Sequence, residues 1–556
     1  MAPIFQACLE NDVRLIDTRH EAAAGHAADA YARQTGGCAV AMATAGPGYT
    51  NVITAITQAH LDCSPVLFLI GAAPLRDAER WPLQGGIDQV AMAKPVTRWA
   101  AQVTRTELIP HMVAHAIRET TNGQPGPVLL EIPIDVLFDR VSEDSAPIPD
   151  TITPDTAPAP SATKVGQALE MLKSAERPAI ICGGGMLFSK GAAEALRTFA
   201  AAAGIPVYSN NKARGMIAAT DPLYAGPLTN MMVASATGIG TPDVVLTLGA
   251  RFGMFTEPGM LGPARIPPDD CKIIQVDVSK SEMGRIRKVH LPVQADCGEM
   301  LNALIAASQE TEWPDWRGWS EAINHLTTWH THAYDKAIQK STLMHPYEAV
   351  REIMKALDDD TIICADGGEA SGWVDMLTQA KDPAQFMTHG YLGCLGIGMP
   401  FAMGAKVAHP DKPVAVIIGD GSVGFHIQEF DTMVRHDLPI VTIVLNNKAW
   451  GMCVHGQQAM FGENRLVVTT LGDAHYEKVA EGFGAQGEYI DDPRKIVPAI
   501  RRAFASGLPA CINIITDLDA VLGDTEGEKI SKMEGADGEI SMPYYDSLKK
   551  DEPATN

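Results

Sequence analysis

Positive charge is what this chain has least of for its size: 44 Lys plus Arg stand against 67 Asp plus Glu in 556 residues, a formal net charge of -23. A field of that sign repels phosphate backbones and anionic lipid surfaces, which sets aside nucleic acid and membrane as partners. A phosphate-bearing small molecule stays open, provided that a metal ion or backbone amides offset the repulsion locally. The ten cysteines, among them Cys8, Cys38, Cys182, Cys271 and Cys453, form no CxxC pair and no metal-type spacing. They read as buried small hydrophobes in a reducing cytoplasm. No signal peptide opens the sequence, and no apolar run reaches the ~18 residues that a membrane span requires, so a soluble, cytoplasmic protein is expected.

What is present is an ordinary globular composition, 46% hydrophobic and 20% charged, with 50 Gly and 37 Pro for many tight turns. The length implies about three domains. Apolar runs of strand length recur with helical stretches between them: CAVAMAT at 38, PVLFLIG at 65, PVLLEIP at 127, PAIICGG at 178, DVVLTLG at 243 and KIIQVDV at 272. That alternation predicts an α/β protein of three doubly wound parallel-sheet domains. A Pro-, Asp-, Ser- and Thr-rich stretch places a linker at 146–163, between a first domain at 1–145 and a middle domain at 164–335. A third domain follows at 336–525, from the new strand-helix series that starts at TIICADG, and 526–556 reads as a charged tail.

The strongest chemical signal is PVAVIIGDGSVGFHIQEFDTMVRHDLPIVTIVLNNKAWG, residues 413–451. One buried strand ends in Gly419, Asp420, Gly421 and Ser422, and after a helix a second ends in Asn446 and Asn447. Both polar ends then lie at the carboxyl edge of neighbouring parallel strands, where α/β sheets bind ligands. Glycines allow a diphosphate to approach the backbone, the helix start offers amides, and Asp420 with Asn447 supplies hard oxygens for Mg²⁺. In RHEAAAGHAADAYAR, at 19–33, the one carboxylate among alanines, Glu21, reads alone as a solvated helix residue.

The 413–451 stretch resembles the cofactor motif of the thiamin diphosphate-dependent enzymes. That likeness implies thiamin diphosphate and Mg²⁺ as cofactors, with the Asp420 carboxylate, the Asn447 amide and the Ala449 carbonyl holding the ion. Gly419, Gly421, Ser422 and Asn446 then belong to the cofactor-binding surface. It also gives Glu21 a role, since the family uses one such glutamate to hydrogen-bond the aminopyrimidine ring and promote loss of the thiazolium C2 proton. The alanines around Glu21 then suit a helix packed against the cofactor and a partner subunit. In HGYLGCLGIGMPFAMGAK at 389, Gly393 corresponds to a carbonyl that accepts from the pyrimidine's 4′-amino group and Leu395 to a wedge beneath the cofactor. ATAGPGYTN at 43 is similar to the glycine turn of the family's first domain. The three domains become pyrimidine-binding, middle and diphosphate-binding, and a homodimer or homotetramer with sites shared between subunits is implied.

Within that family, RHEAAAGHAADAYAR, PLQGGIDQVAMAKP, LGARFGMFTEPG, HGYLGCLG, GDGSVG, EFDT, NNKAWG and PACIN most resemble the benzaldehyde lyase branch, from residue 4 to about 520. This implies Gln84 beside the reacting carbon, although it could equally cap a turn, and His389 either lining the site or serving as a structural histidine. Where that branch has a tryptophan, a tyrosine and a phenylalanine in its pocket, this sequence places Ile134, Ser371 and Gly456; Met452 replaces an alanine, and Leu83 adjoins Gln84. A different aldehyde, acyloin or 2-keto acid is therefore a serious expectation. Relatives also carry, ahead of the point matching Met1, a strand and a glycine-rich loop ending in a histidine. Here either the first domain lacks its first strand and that histidine, or the start is assigned downstream; a longer form is expected to be more stable and more active. PAIICGGGM at 178 and GARF at 249 loosely resemble the flavin-binding region of acetolactate synthase, but no FAD is expected. The expected activity is carbon-carbon lyase and carboligase chemistry on 2-hydroxy ketones and aldehydes, with acetolactate synthase or 2-keto acid decarboxylase as the first alternative and an inactive cofactor-binding homologue as the second.

Overall fold

The computed structural model describes residues 1–152, 156–253, 256, 265–462 and 465–526. Strands and helices alternate along it and build three parallel sheets. The first contains β1 (Ala39–Ala43), β2 (Val66–Ala72), β3 (Trp99–Gln102) and β4 (Val128–Pro133), in the order β1-β2-β4-β3. The second contains β5 (Pro178–Cys182), β6 (Val207–Ser209), β7 (Tyr224–Pro227), β8 (Val244–Leu248), β9 (Lys272–Asp277) and β10 (Leu291–Gln294), in the order β10-β9-β8-β5-β6-β7. The third contains β11 (Ile362–Asp366), β12 (Phe386–Met387), β13 (Val414–Gly419), β14 (Val441–Asn446), β15 (Gln486–Ile490) and β16 (Ala510–Ile515), in the order β12-β11-β13-β14-β16-β15. Central strands are buried along their whole length, as in β2, β5, β8 and β14, because helices cover both faces.

Each apolar run singled out in the sequence is a strand. Ahead of β1 the described residues contribute no strand; Ala2–Glu10 is a helix with no buried residue. Helix Ala162–Lys173 begins inside the stretch read as a linker. The tail from 527 onwards lies outside the described residues. No described helix is long and apolar enough to cross a membrane.

The alanines beside Glu21 also pack within the chain itself. Helix Glu21–Thr35 lies between helices Pro47–Asp62 and Gly398–Ala408 of the same chain, with Ala23, Ala30 and Ala32 fully buried. A Cβ at Gly25 would stand 2.5 Å from the Ala55 Cβ, and one at Gly404 would collide with the Ala27 carbonyl. Small residues are needed there because the first and third domains meet backbone to backbone.

Candidate active site

The carboxyl edge of the third sheet carries the densest polar constellation. β13 and β14 are parallel neighbours with Gly419 opposite Leu445, so their polar ends emerge side by side. The Ala449 N–H donates to Asp420 Oδ2 at 3.1 Å and to Asn447 Oδ1 at 3.2 Å, which draws the three expected metal-holding residues onto one point. Asp420 is 4% exposed, and burial pushes its carboxyl up to about 7 although Gly421, Ala449 and Lys448 donate backbone hydrogen bonds to it. A cation would favour the charged form of a carboxyl so placed. One carboxylate, one amide and one carbonyl form the hard-oxygen set that suits Mg²⁺. Gly421 is required by packing: a Cβ there would stand 2.5 Å from the Trp450 ring. Ser422 is buried in the short helix Asp420–Val423. Asn446 is otherwise engaged: its Nδ2 donates to Asn513 at 3.1 Å and its Oδ1 accepts from the Lys448 N–H at 3.0 Å. It braces the turn that aims Asn447 and Ala449, because a fully buried amide must find partners inside.

Beside this point, Ser371 Oγ donates to the Gly367 carbonyl at 2.6 Å and lies 3.4 Å from His389 Nε2. Met452, on helix Gly451–Phe461, covers Gly368, whose added Cβ would meet the methionine at 3.2 Å. Gly456 follows one turn later on the same helix face, and a Cβ there would meet none of the described residues within 4 Å. The 393–395 turn is fixed from beneath. Asp366 accepts from the Gly396 and Gly398 amides at 3.3 and 2.7 Å, and His426 Nδ1 donates to the Gly396 carbonyl at 2.7 Å. Gly393 has φ +64 with open space where a Cβ would be, a cradle at the surface, and Leu395 is half-buried beside it.

A second group sits at the carboxyl edge of the first sheet. Asn51 Nδ2 donates to Glu21 Oε2 at 3.0 Å, and Gly48 lies under Oε1, from which an added Cβ would be 3.6 Å. Gly46, with φ +64, backs onto Gln84: a Cβ at Gly46 would be 3.0 Å from the Gln84 Cα. Gln84 itself has φ +62 and an exposed side chain, so the turn Gly46–Gly48 joins Glu21 to Gln84. Leu83 is exposed beside it, and Ile134 starts the helix after β4 with its side chain half in solvent. Among the described residues no hydrogen bond joins a candidate of this group to one of the third-sheet group.

Several residues here carried no role in the sequence reading. Asn51 lay inside the ATAGPGYTN stretch, so the stretch was a signal and the residue was not. Glu369 and His455 gave none. His455 Nδ1 is 2.7 Å from Glu369 Oε1 and Nε2 is 2.7 Å from the Leu518 carbonyl. Both partners only accept, so both ring nitrogens donate and His455 is an imidazolium. Burial opposes that charge, but Glu369, the Leu518 carbonyl and Asp519 outweigh it and raise its pKa. The pair fixes helix Gly451–Phe461 against helix Glu369–Leu377, and with it the position of Met452.

A cavity of about 610 Å³ lies elsewhere, where the loops after β5 and β8 face the first domain. The two glycine-rich loops at 183 and 249 meet there, close enough that a Cβ at Gly183 would collide with the Gly249 carbonyl. No candidate site residue lines it.

Comparison with known proteins gives three matching family models. They are described as the N-terminal TPP binding domain, the central domain and the C-terminal TPP binding domain of thiamine pyrophosphate enzymes, at residues 1–92, 165–304 and 366–514. A probable acetolactate synthase large subunit of Methanocaldococcus jannaschii is 31% identical over 569 residues, covering 99% of this chain and 94% of that protein. An acetolactate synthase large subunit of Mycobacterium tuberculosis is 31% identical over 92% of this chain and 91% of its own length. A 2-hydroxyacyl-CoA lyase 2 of Bos taurus is 30% identical over 93% of this chain and 86% of its own length.

Proposed function

Since the chain belongs to the thiamine pyrophosphate enzyme family, we propose that it uses thiamin diphosphate with Mg²⁺ to cleave and form the carbon-carbon bond of 2-hydroxy carbonyl compounds, as a lyase and carboligase resembling benzaldehyde lyase. The observation that carries this reading is the convergence of Asp420 and Asn447 on the Ala449 N–H at one sheet edge. When bound, the cofactor supplies a carbon nucleophile that adds to a carbonyl and stabilises the charge left when the neighbouring bond breaks. The protein's residues do the rest. Asp420, Asn447 and the Ala449 carbonyl hold the ion. Gly419, Gly421 and Ser422 face the diphosphate, Gly393 and Leu395 face the pyrimidine, and Glu21 holds a proton at the ring nitrogen. Gln84 and His389 orient the substrate oxygen.

The substrate lies against Met452, Ser371 and Gly456. Open space beside Gly456 and the missing aromatic walls favour an acyl group other than a flat ring. The reading includes a cytoplasmic homodimer or homotetramer with sites shared between subunits. Its support is the apolar exposure around the Gln84 loop, with Trp81 85% and Leu83 92% exposed, and Val468 91% exposed in the third domain. No flavin is included.

The test is product release by the holoenzyme with and without added thiamin diphosphate and Mg²⁺, offering benzoin, an aliphatic acyloin, a 2-hydroxyacyl thioester and pyruvate. Aldehyde from one of the first three, dependent on both cofactors, is the expected result. The second reading, a 2-keto acid enzyme, draws on the acetolactate synthase relatives; carbon dioxide from pyruvate, with no aldehyde from the other three compounds, would establish it instead. Cofactor binding without turnover of any of the four would identify an inactive homologue.

A further inference from the structure

The Glu21 carboxylate has two oxygens with different surroundings. Oε2 accepts from Asn51 Nδ2 at 3.0 Å, whereas Oε1 lies over Gly48, 3.6 Å from where a Cβ would be. Asn51 sits in the first turns of helix Pro47–Asp62, so its amide is carried by a rigid element. An ionised carboxylate only accepts, so the amide group of Asn51 must point its NH₂ at Glu21.

The turn ahead of that helix is itself held. Gln89 Oε1 accepts from the Gly46 N–H at 2.8 Å, while Gln89 Nε2 donates to the Gly71 carbonyl at 3.0 Å and to Glu131 Oε1 at 3.3 Å. Gln89 is 3% exposed and keys the turn to β2 and β4. A Cβ at Gly48 would stand 2.7 Å from Thr44 Cγ2, so the turn leaves no room for adjustment there.

We infer that Asn51 is a positioning residue for Glu21: it clamps one carboxylate oxygen so that the other is presented, fixed in direction, to the ring nitrogen of the cofactor. The inference rests on the proposed role of Glu21. A hydrogen bond donated to a carboxylate favours its charged form, and the clamp also removes the freedom of the Glu21 side chain to turn away. Gly48 completes the arrangement by keeping the space at Oε1 clear.

Two measurements on N51A, the isosteric N51D and E21Q test it, both without substrate. The first is the dissociation constant of thiamin diphosphate in the presence of Mg²⁺, from quenching of tryptophan fluorescence. The second is the rate at which the bound cofactor's C2 proton exchanges for deuterium, from acid quench and proton NMR. N51A is expected to keep cofactor affinity within about threefold and to slow exchange by roughly 10- to 100-fold, the range for a hydrogen bond to a charged group. N51D, which sets a second carboxylate against Glu21, is expected to slow it further and to move the pH midpoint of exchange upward. If E21Q slows exchange while N51A and N51D match the unaltered protein, the inference falls and the reading of Glu21 stands. If E21Q itself exchanges at the unaltered rate, the reading of Glu21 falls and the inference with it. Slower exchange that tracks a matching loss of cofactor affinity in both Asn51 variants would show a structural role only and would overturn the inference.

Discussion

A glycine inside a helix carries a cost of about 1 kcal/mol relative to alanine unless something forbids a side chain. At Gly421 the Trp450 ring forbids it, but at Gly456 no described residue stands within 4 Å of an added Cβ. G456A should raise stability by about 0.5–1 kcal/mol in chemical denaturation, because only propensity changes. G456F should leave stability close to the unaltered value and lower kcat/KM at least tenfold for the largest acyl substrate accepted, sparing the smallest. Equal losses for both substrates would remove Gly456 from the pocket. That Asp420 and Asn447 emerge together was legible in the sequence because strand ends fix them: each follows a buried apolar run, and parallel neighbours deliver both to one edge. Asn51 and the Glu369–His455 pair were not legible. Their partners lie 30 and 86 positions away, and only the packing of particular helices brings them together.

At the scale of elements, the strands read most easily in the sequence are, β1 apart, central ones. Those that went unmarked include β3, β7, β10, β12 and β15, which all lie at sheet edges. An edge strand is covered on fewer sides, so WAAQ in β3 and QGEYI in β15 show no continuous apolar run. The helix carrying Glu21 meets the third domain through histidines that no local pattern announces. His26 and His426 have ring centroids 6.0 Å apart, and His20 is 5.9 Å from His426. Burial lowers His26 to about 3 and His426 to about 4, from an ordinary 6.5. Both are neutral in the fold and would take up protons once unfolded, so their contribution is fully present above about 6.5 and is lost as pH falls towards 4 and 3. Each pH unit in that window costs up to about 1.4 kcal/mol per histidine. Glu429, which accepts from the Arg19 and His20 amides and is pushed upward by burial, acts with the opposite sign. Cys394 Sγ lies 3.9 Å from His26 Nε2, and the Arg33 charge on the same helix also helps to keep His26 neutral. The melting temperature should therefore fall between pH 7 and pH 4.5, and H26L should fall less over the same interval. Parallel curves for the two proteins would show that His26 does not set the acid limit.

The three domains are joined through one buried charge cluster. Asp62, at the end of helix Pro47–Asp62, accepts from Arg33 at 2.8 Å, from Lys212 of the middle domain at 2.9 Å and from Gln58. Arg33 also forms a two-point pair with Asp29, and its guanidinium stands over the Phe401 ring of the third domain at 4.7 Å. Arg251 donates to the Leu61 carbonyl, and Gly390 packs so closely on Asp62 that a Cβ there would collide with its carboxylate. Although burial alone would raise it, Lys212 and Arg33 hold the Asp62 carboxyl down at about 2. The sequence shows none of this, since the members come from all three domains and each looks like a solvated charge. A buried pair contributes little relative to an apolar replacement, but removing one partner strands the other. D62A leaves Lys212 without its carboxylate and Arg33 with Asp29 alone, and should cost about 3 kcal/mol of stability. K212M should cost far less, because the lysine side chain keeps 18% exposure while that of Asp62 has none, and water can stand in for part of what is lost. Chemical denaturation followed separately by tryptophan fluorescence and by circular dichroism would check both the order and the cause. If the cluster holds the domains together, D62A should separate the two transitions that coincide in the unaltered protein. A single coincident transition at an unchanged midpoint would show that the interfaces stand on their apolar contacts alone.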